Sequence, residues 1–190
     1  MLRLDCLRSV YSELKDCLVV TIMGAVAAEL QSVGHRPNFF YLQHAMGLAS
    51  STGLGLAMCL PEQHVVVFDG DGSLLMNLGS LTTMARYRPK NLTHVVFDNE
   101  SLLSVGGFPT ATNTGTDLEG IARAAGVPRA FTVHSVETFH SAVRKAMHEK
   151  ELTTIIAKVE AAGPSRYVTD LSLLENRFQF GRHIQSLKQH

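Results

Sequence analysis

An acidic residue set between two glycines closes an apolar run in Val65-Val66-Val67-Phe68-Asp69-Gly70-Asp71-Gly72-Ser73. The run His64–Phe68 reads as a buried strand and the residues from Ser73 onward as a helix, so Asp71 falls in a strand-to-helix turn. In open α/β sheets, ligands sit outside the carboxyl ends of strands. Glycine lets backbone approach a ligand closely and permits unusual torsions. The unpaired N–H groups of a starting helix favour an anion such as phosphate. A carboxylate at the same spot repels that phosphate, and a divalent cation bridging the two removes the conflict. Mg²⁺ commonly combines one or two protein oxygens with phosphates and water. A second oxygen ligand is then required at the end of a neighbouring strand. The next apolar run, His94–Phe97, ends in Asp98-Asn99-Glu100-Ser101 and places Asn99 28 positions after Asp71, about one helix plus one strand. The bland alternative is a capping aspartate and a turn asparagine. A lone Gly-Asp-Gly is weak, and the strand before it, the helix after it and Asn99 supply its weight.

The elements that must position these residues follow from periodicity. Leu4, Leu7, Tyr11, Leu14 and Leu18 recur at helical spacing, so residues 1–17 read as an N-terminal amphipathic helix. Leu18–Ile22 is a short β-branched strand, Ala25–Val33 a small-residue helix, and Phe39–Leu42 a short strand or turn. The segment Gly47–Leu60 is a helix so free of bulk that it must pack closely against another backbone. Leu74, Leu78, Leu81 and Ala85 share one helical face, which predicts a single helix over Ser73–Tyr87 between the two apolar strands, a βαβ unit. Further on come a helix at Asp117–Ala125 capped by Thr116, a strand at Phe131–Val133, a helix at Val136–Glu149 and a last strand at Leu152–Val159. Ser172–Phe180 is a helix or an ordered arm. The alternation predicts an α/β fold with a doubly wound, mostly parallel sheet and helices on both faces. One domain over residues 1–190 is expected, with 164–190 as a C-terminal arm.

Composition narrows the function classes. Lys plus Arg and Asp plus Glu number 17 each, so no basic excess marks the chain for nucleic acid or an anionic membrane. Any anionic ligand must be held by a local site. Cys6, Cys17 and Cys59 lack metal-binding spacing and read as thiols in a reducing compartment. Asp5, Arg8, Glu13, Lys15 and Asp16 interrupt any secretory leader, and no apolar run reaches the roughly 18 residues of a membrane span. A soluble cytoplasmic protein is the expectation.

Gly70-Asp71-Gly72 followed, after 26 intervening residues, by Asn99 is similar to the signature of the thiamine diphosphate enzymes. Ala45-Met46-Gly47-Leu48-Ala49-Ser50-Ser51, Gly70–Leu81, and Asp98-Asn99-Glu100 with Ser104-Val105-Gly106-Gly107 resemble the sulfopyruvate and phosphonopyruvate decarboxylase group, over about residues 18–160. The resemblance implies thiamine diphosphate and Mg²⁺ as cofactors. It implies that the side chains of Asp71 and Asn99 and the backbone carbonyl of Ser101 bind the metal, that Gly70, Gly72 and Ser73 meet the diphosphate, and that His44, Ala45, Met46 and Leu103 contact the cofactor. The implied reaction is decarboxylation of a 2-oxo acid to an aldehyde. The glutamate that activates the aminopyrimidine lies, in this family, on a pyrimidine-binding domain for which 190 residues leave no room. Glu29, Glu62 and Glu100 are not assigned that role. A separate pyrimidine-binding (alpha) subunit is therefore expected, in a hetero-oligomer. Alone, the chain is expected as a homodimer or larger.

The chain departs from the group at His44, where a glycine is expected, at Asp98, where an asparagine is usual, and at Phe108, where glutamine is frequent. His44 either touches the diphosphate or substrate or is a turn histidine. Met46 either presses on the cofactor or belongs to the core. Ser104, Gly106 and Gly107 make either a mobile covering loop or an ordinary connection. His64 and His94 stand at strand starts, for packing or in solvent. No Arg or Lys occurs in Glu100–Thr110, so a substrate sulfonate or phosphonate is left to backbone, to Ser101 or Ser104, or to the partner. Competing readings are an acetolactate synthase-like enzyme, a non-catalytic regulatory subunit that keeps the cofactor site, and, remotely, a flavodoxin-like carrier. A ferredoxin-linked oxidoreductase is disfavoured because no cluster-binding cysteine set exists.

Overall fold

The computed structural model describes residues 1–164 and 171–188. In chain order the elements are α1 (Arg3–Val10), β1 (Leu18–Thr21), α2 (Ala25–Val33), β2 (Phe39–Tyr41), α3 (Ala49–Cys59), β3 (Val65–Gly70), α4 (Asp71–Leu75), α5 (Gly79–Tyr87), β4 (Leu92–Asp98), β5 (Ser101–Leu102), β6 (Phe108–Pro109), α6 (Leu118–Ala124), β7 (Arg129–Val133), α7 (Val136–His148), β8 (Thr153–Lys158) and α8 (Leu173–Leu187). Six strands form an all-parallel sheet in the order β2-β1-β3-β4-β8-β7, while β5 and β6 make a small antiparallel hairpin. Right-handed crossovers fix which face each helix takes. The step from β1 to β2 runs opposite to the steps toward β3, β4 and β7, so α2 and α7 lie on one face and α3, α5 and α6 on the other. α1 completes the first layer by packing on α2 and α7. Covered on both sides, β1, β3, β4 and β8 are buried almost throughout, which suits their continuous β-branched and apolar residues.

The small-residue helix does pack closely. A methyl added at Gly53 of α3 would overlap Val67 Cγ2 of β3 and approach Leu92 Cδ1 to 3.6 Å. The helix begins at Ala49 rather than Gly47, which has a φ of +84° and belongs to the preceding turn.

Several local expectations are corrected by tertiary contacts. The helix expected over Ser73–Tyr87 is two, α4 and α5, interrupted at Met76–Leu78. There the Asn77 side chain donates to the Gly47 carbonyl at 2.7 Å, and α4 ends on i→i+3 bonds from Met76 and Asn77. Asp117, not Thr116, caps α6, accepting from the Gly120 N–H at 3.0 Å. The N-terminal helix stops at Val10, a 3₁₀ turn covers Glu13–Asp16, and Leu18 opens β1. His94 does not start its strand but lies inside β4, fully buried, with Nε2 3.3 Å from Asp69 Oδ2. His64 pairs with the Thr93 hydroxyl at 2.9 Å, and burial, reinforced by His148, pushes it down to about 4, so it is neutral at physiological pH.

Of the expected arm over residues 164–190, positions 165–170 and 189–190 lie outside the described residues, and Leu173–Leu187 is a helix. Asn176 donates to the Phe39 carbonyl at 2.8 Å and accepts from the Tyr41 N–H at 3.0 Å, while Phe180 stacks on Phe40. The helix thereby covers the exposed edge of β2. Across the sheet face, Arg3 makes a two-pronged ion pair with Glu29 at 2.8 and 2.9 Å, both side chains under a tenth exposed. Loss of either partner would strand a buried charge, at a cost of about 3–5 kcal/mol.

Two substitutions test this packing. Gly53→Ala should destabilise by about 1–3 kcal/mol through overpacking, with partial recovery in the double variant carrying Val67→Ala, both read by denaturant unfolding. His44 holds a left-handed φ of 54° without a glycine's freedom. His44→Gly should therefore melt no lower than the parent, whereas a β-branched His44→Val should melt lower.

Candidate functional site

The chain leaves β1 toward β2 and returns across it to β3, so the carboxyl ends of β1 and β3 flank a topological switch point, where such sheets bind ligands. A pocket opens there. Ile22–Val26 follow β1 on one side, Gly70–Ser73 follow β3 on the floor, and Asn99 with Ser101–Ser104 follow β4 on the other side; Met46, Phe97 and Arg3 complete it. Of the residues singled out in the sequence, Met46, Gly70, Asp71, Gly72, Ser73, Asn99, Ser101 and Leu103 line this one pocket. His44 and Ala45 do not; His44 is exposed on the turn before it. No glutamate lines the pocket among the described residues.

The two glycines act by their missing side chains rather than by torsion. Gly70 is extended (φ −123°, ψ 156°), and neither it nor Gly72 has a positive φ. A Cβ on Gly72 would overlap Leu102 Cδ2, so the β4–β5 segment approaches only because position 72 is bare. At Gly70 the corresponding space is open. Ser73 is buried, and its Oγ accepts the Gly47 N–H at 3.0 Å, tying the turn before α3 to the first turn of α4.

Asp71 is 3% exposed and makes no ion pair among the described residues. Its Oδ2 accepts from Thr110 Oγ at 2.5 Å and lies 3.2 Å from Thr112 Oγ. Thr112 also donates to Asp98 Oδ1 at 2.8 Å, and its single proton serves one carboxylate at a time. Burial raises the pKa of Asp71 above the ordinary carboxylate value; the Thr110 hydrogen bond opposes this and the nearby Asp98 charge adds to it. Asp98 is 2% exposed and pairs with Lys158 Nζ at 2.7 Å. Asn99 Oδ1 accepts the Ser101 N–H at 3.1 Å, closing a turn in which Glu100 takes a φ of 60°.

Sequence reasoning did not single out Thr110, Thr112, the Ile22–Val26 loop, Arg3 or Lys158. Gly24 offered a signal for the loop, since it follows an apolar strand and precedes a helix as Gly70–Gly72 do, and its φ is 79°. The threonines and Lys158 had none, because they reach the site from distant parts of the chain. Arg3 is the cationic side chain lining the pocket among the described residues, and its guanidinium is already committed to Glu29 and to the Ala162 carbonyl at 3.0 Å. The segment expected to cover substrate is the β5–β6 hairpin, joined by a 3₁₀ turn at Leu103–Val105.

The buried donor set suits a hard cation. No group of three His, Cys, Asp or Glu side chains is gathered among the described residues, which leaves carboxylate, amide and carbonyl oxygens, the ligand types Mg²⁺ takes. A dry carboxylate held by neutral hydroxyl and backbone N–H groups, with its charge disfavoured by burial, is the complement such a cation requires. No helix among the described residues is long and apolar enough to cross a membrane.

Residues 23–157 match the family described as thiamine pyrophosphate enzyme, C-terminal TPP binding domain. The chain is 40% identical over 157 residues to the sulfopyruvate decarboxylase subunit beta of Methanocaldococcus jannaschii, covering 82% of each. It is 41% identical over 155 residues to the sulfopyruvate decarboxylase of Methanosarcina acetivorans, where it spans 82% of itself but 40% of that longer protein. The 4-hydroxybenzoylformate decarboxylase of Rhodococcus jostii RHA1 superposes with a TM-score of 0.71 over 84% of this chain and 33% of its own, at 19% identity, which speaks for the fold. The chain belongs to the thiamine pyrophosphate enzymes, as their cofactor-binding C-terminal domain.

Proposed function

We propose that this chain is the diphosphate- and Mg²⁺-binding subunit of a thiamine diphosphate-dependent 2-oxo acid decarboxylase of the sulfopyruvate type, completed by a separate pyrimidine-binding subunit. The observation that carries the reading is Asp71: a buried carboxylate without a cation, facing Asn99 and Ser101 across a pocket at the switch point. In this reading the Asp71 and Asn99 side chains and the Ser101 carbonyl hold the metal, and the bare backbone of Gly70–Gly72 leaves room for the diphosphate. Thiamine diphosphate, when bound, supplies the ring carbon that stabilises the carbanion of decarboxylation. The protein's share is to orient the cofactor, exclude water beneath the β5–β6 hairpin, and hold the substrate. Arg3 is neutralised by Glu29, so the substrate's sulfonate falls to the Ser101 and Ser104 hydroxyls, to backbone N–H groups, or to the partner.

Two features support a partner. No glutamate that would activate the aminopyrimidine lines the pocket among the described residues, and apolar side chains stand open on the hairpin and beside the Gly47 turn: Leu48, Met76, Val105 and Phe108 are 49–66% exposed.

Asp71→Asn tests the metal site. Thiamine diphosphate binding in the presence of Mg²⁺, followed by calorimetry, should weaken by more than about 100-fold, since even groups behind a metal ligand are worth 10–100-fold. Stability should move the other way. Because burial raises the pKa of Asp71, the stability linked to it is full below the ordinary carboxylate pKa and is lost as pH rises through the raised value. Removing the carboxylate should thus raise the Tm of the cofactor-free protein at neutral pH and leave it little changed in acid. Unaltered cofactor binding would refute the assignment. For the partner, sulfopyruvate should release CO₂ and an aldehyde only when this chain is mixed with a pyrimidine-binding chain. Turnover by the chain alone would overturn the half-site reading, and turnover confined to phosphonopyruvate would reassign the substrate.

A further inference from the structure

Asn99 is flanked by two carboxylates, Asp98 and Glu100, and a single lysine holds both. Lys158 Nζ stands 2.7 Å from Asp98 Oδ2 and 2.9 Å from Glu100 Oε1. The placement comes from the sheet. Lys158 is the last residue of β8 and lies directly opposite Asp98, the last residue of β4, with the Val159 N–H continuing the ladder to the Asp98 carbonyl at 3.0 Å. The turn it grips is one the backbone does not favour: Glu100 has a φ of 60°, a left-handed conformation that L residues rarely adopt. Three hydrogen bonds fold that turn, Glu100 N–H to Asp98 Oδ1 at 3.2 Å, Ser101 N–H to Asn99 Oδ1 at 3.1 Å, and Thr110 N–H to the Glu100 carbonyl at 3.1 Å. Thr112, donating to Asp98 Oδ1 at 2.8 Å, and Asn113, hydrogen-bonded to the Glu100 side chain, brace the two carboxylates from the segment after β6, and none of these contacts reaches to β8. Lys158 does, from a rigid element, and fixes both ends of the three-residue segment.

We propose that Lys158 is a positioning residue for the metal site: it clamps Asp98 and Glu100 so that the Asn99 side chain and the Ser101 carbonyl between and beyond them are presented to the cation. The inference rests on the Mg²⁺ reading above. It has a consequence that charge alone would not produce. A lysine near a cation repels it, so if Lys158 acted only through its charge, neutralising it would tighten metal binding. If it acts by holding the turn, neutralising it loosens metal binding despite the extra negative charge left at Asp98 and Glu100. A clamp also has a reach requirement, which arginine, charged and of similar length, meets.

The test is calorimetric titration of Mg²⁺ at fixed thiamine diphosphate into the full chain, assembled with whatever subunit co-purifies, for the parent, Lys158→Gln, Lys158→Arg and Asp71→Asn. Lys158 is one-third exposed at a strand end, so the fold should survive, and far-UV circular dichroism and the Tm monitor it. The expected result is a Mg²⁺ dissociation constant about tenfold higher for Lys158→Gln, near the parent value for Lys158→Arg, and binding lost in Asp71→Asn. A Lys158→Gln protein that binds Mg²⁺ as tightly as the parent, or more tightly, while Asp71→Asn does not bind, overturns the clamp and leaves the metal site standing. Equal loss in Lys158→Arg and Lys158→Gln also overturns it. Undiminished binding in Asp71→Asn instead removes the metal site itself.

Discussion

A carboxylate buried without a cation organises this end of the molecule. Asp71 sits in the floor of the pocket, 3% exposed, held by the Thr110 hydroxyl, with the Thr112 hydroxyl shared with Asp98. Neutral hydrogen bonds do not compensate for taking a carboxylate out of water, and its pKa moves up accordingly. The arrangement costs stability, and under the proposed function a bound cation offsets that cost. The second buried acid, Asp98, is treated differently: it has Lys158. Of the two carboxylates flanking Thr112, Asp98 is paired with Lys158 and Asp71 has no ion pair among the described residues.

The parallel sheet is what lets three distant turns meet there. Strands β1, β3 and β4 end side by side, with Thr21 opposite Phe68 and Gly70 opposite Phe97, so the segments that follow them open at one level. Close packing then trims the space. Gly53 lets α3 lie on Val67, Gly72 lets Leu102 cross above α4, and Asn77 breaks the following helix to tie it to Gly47. Each close approach uses an absent or short side chain, which is why small residues concentrate in Gly47–Cys59 and Gly70–Ser73. An interior at crystal-like density leaves little slack for a replacement of one methyl group.

The opposite requirement holds on the rim. Phe108 and Val105 on the hairpin, and Leu48 and Met76 beside the Gly47 turn, stand exposed. Large apolar side chains also stand open elsewhere, at Met58 and Tyr87 and at Leu174 and Phe178 of α8. One edge of the sheet is closed within the chain: α8 satisfies the edge backbone of β2 through Asn176.

The framework was legible in the residues alone. Runs such as Val65–Phe68 and His94–Phe97 are fit only for a buried parallel sheet, and Gly70-Asp71-Gly72 at the end of one and Asn99 at the end of the next predict a site at adjacent strand ends, because strand order and helix length place them there. Local hydrogen bonding and covalent spacing suffice for such inferences. The residues that join them at the site came only with the packed fold. Thr110 and Thr112 reach Asp71 from 39 and 41 positions away, Lys158 reaches Glu100 from 58 away, and Arg3 meets Glu29 across two helices. Nothing in their immediate neighbours marks them. The split between α4 and α5 at Asn77 and the burial of His94 inside β4 beside Asp69 belong to the same class. In each, a local preference that would have stood in isolation gives way to a partner brought close by the packing of the whole sheet, and burial makes that partner's hydrogen bond worth more than the preference it overrides.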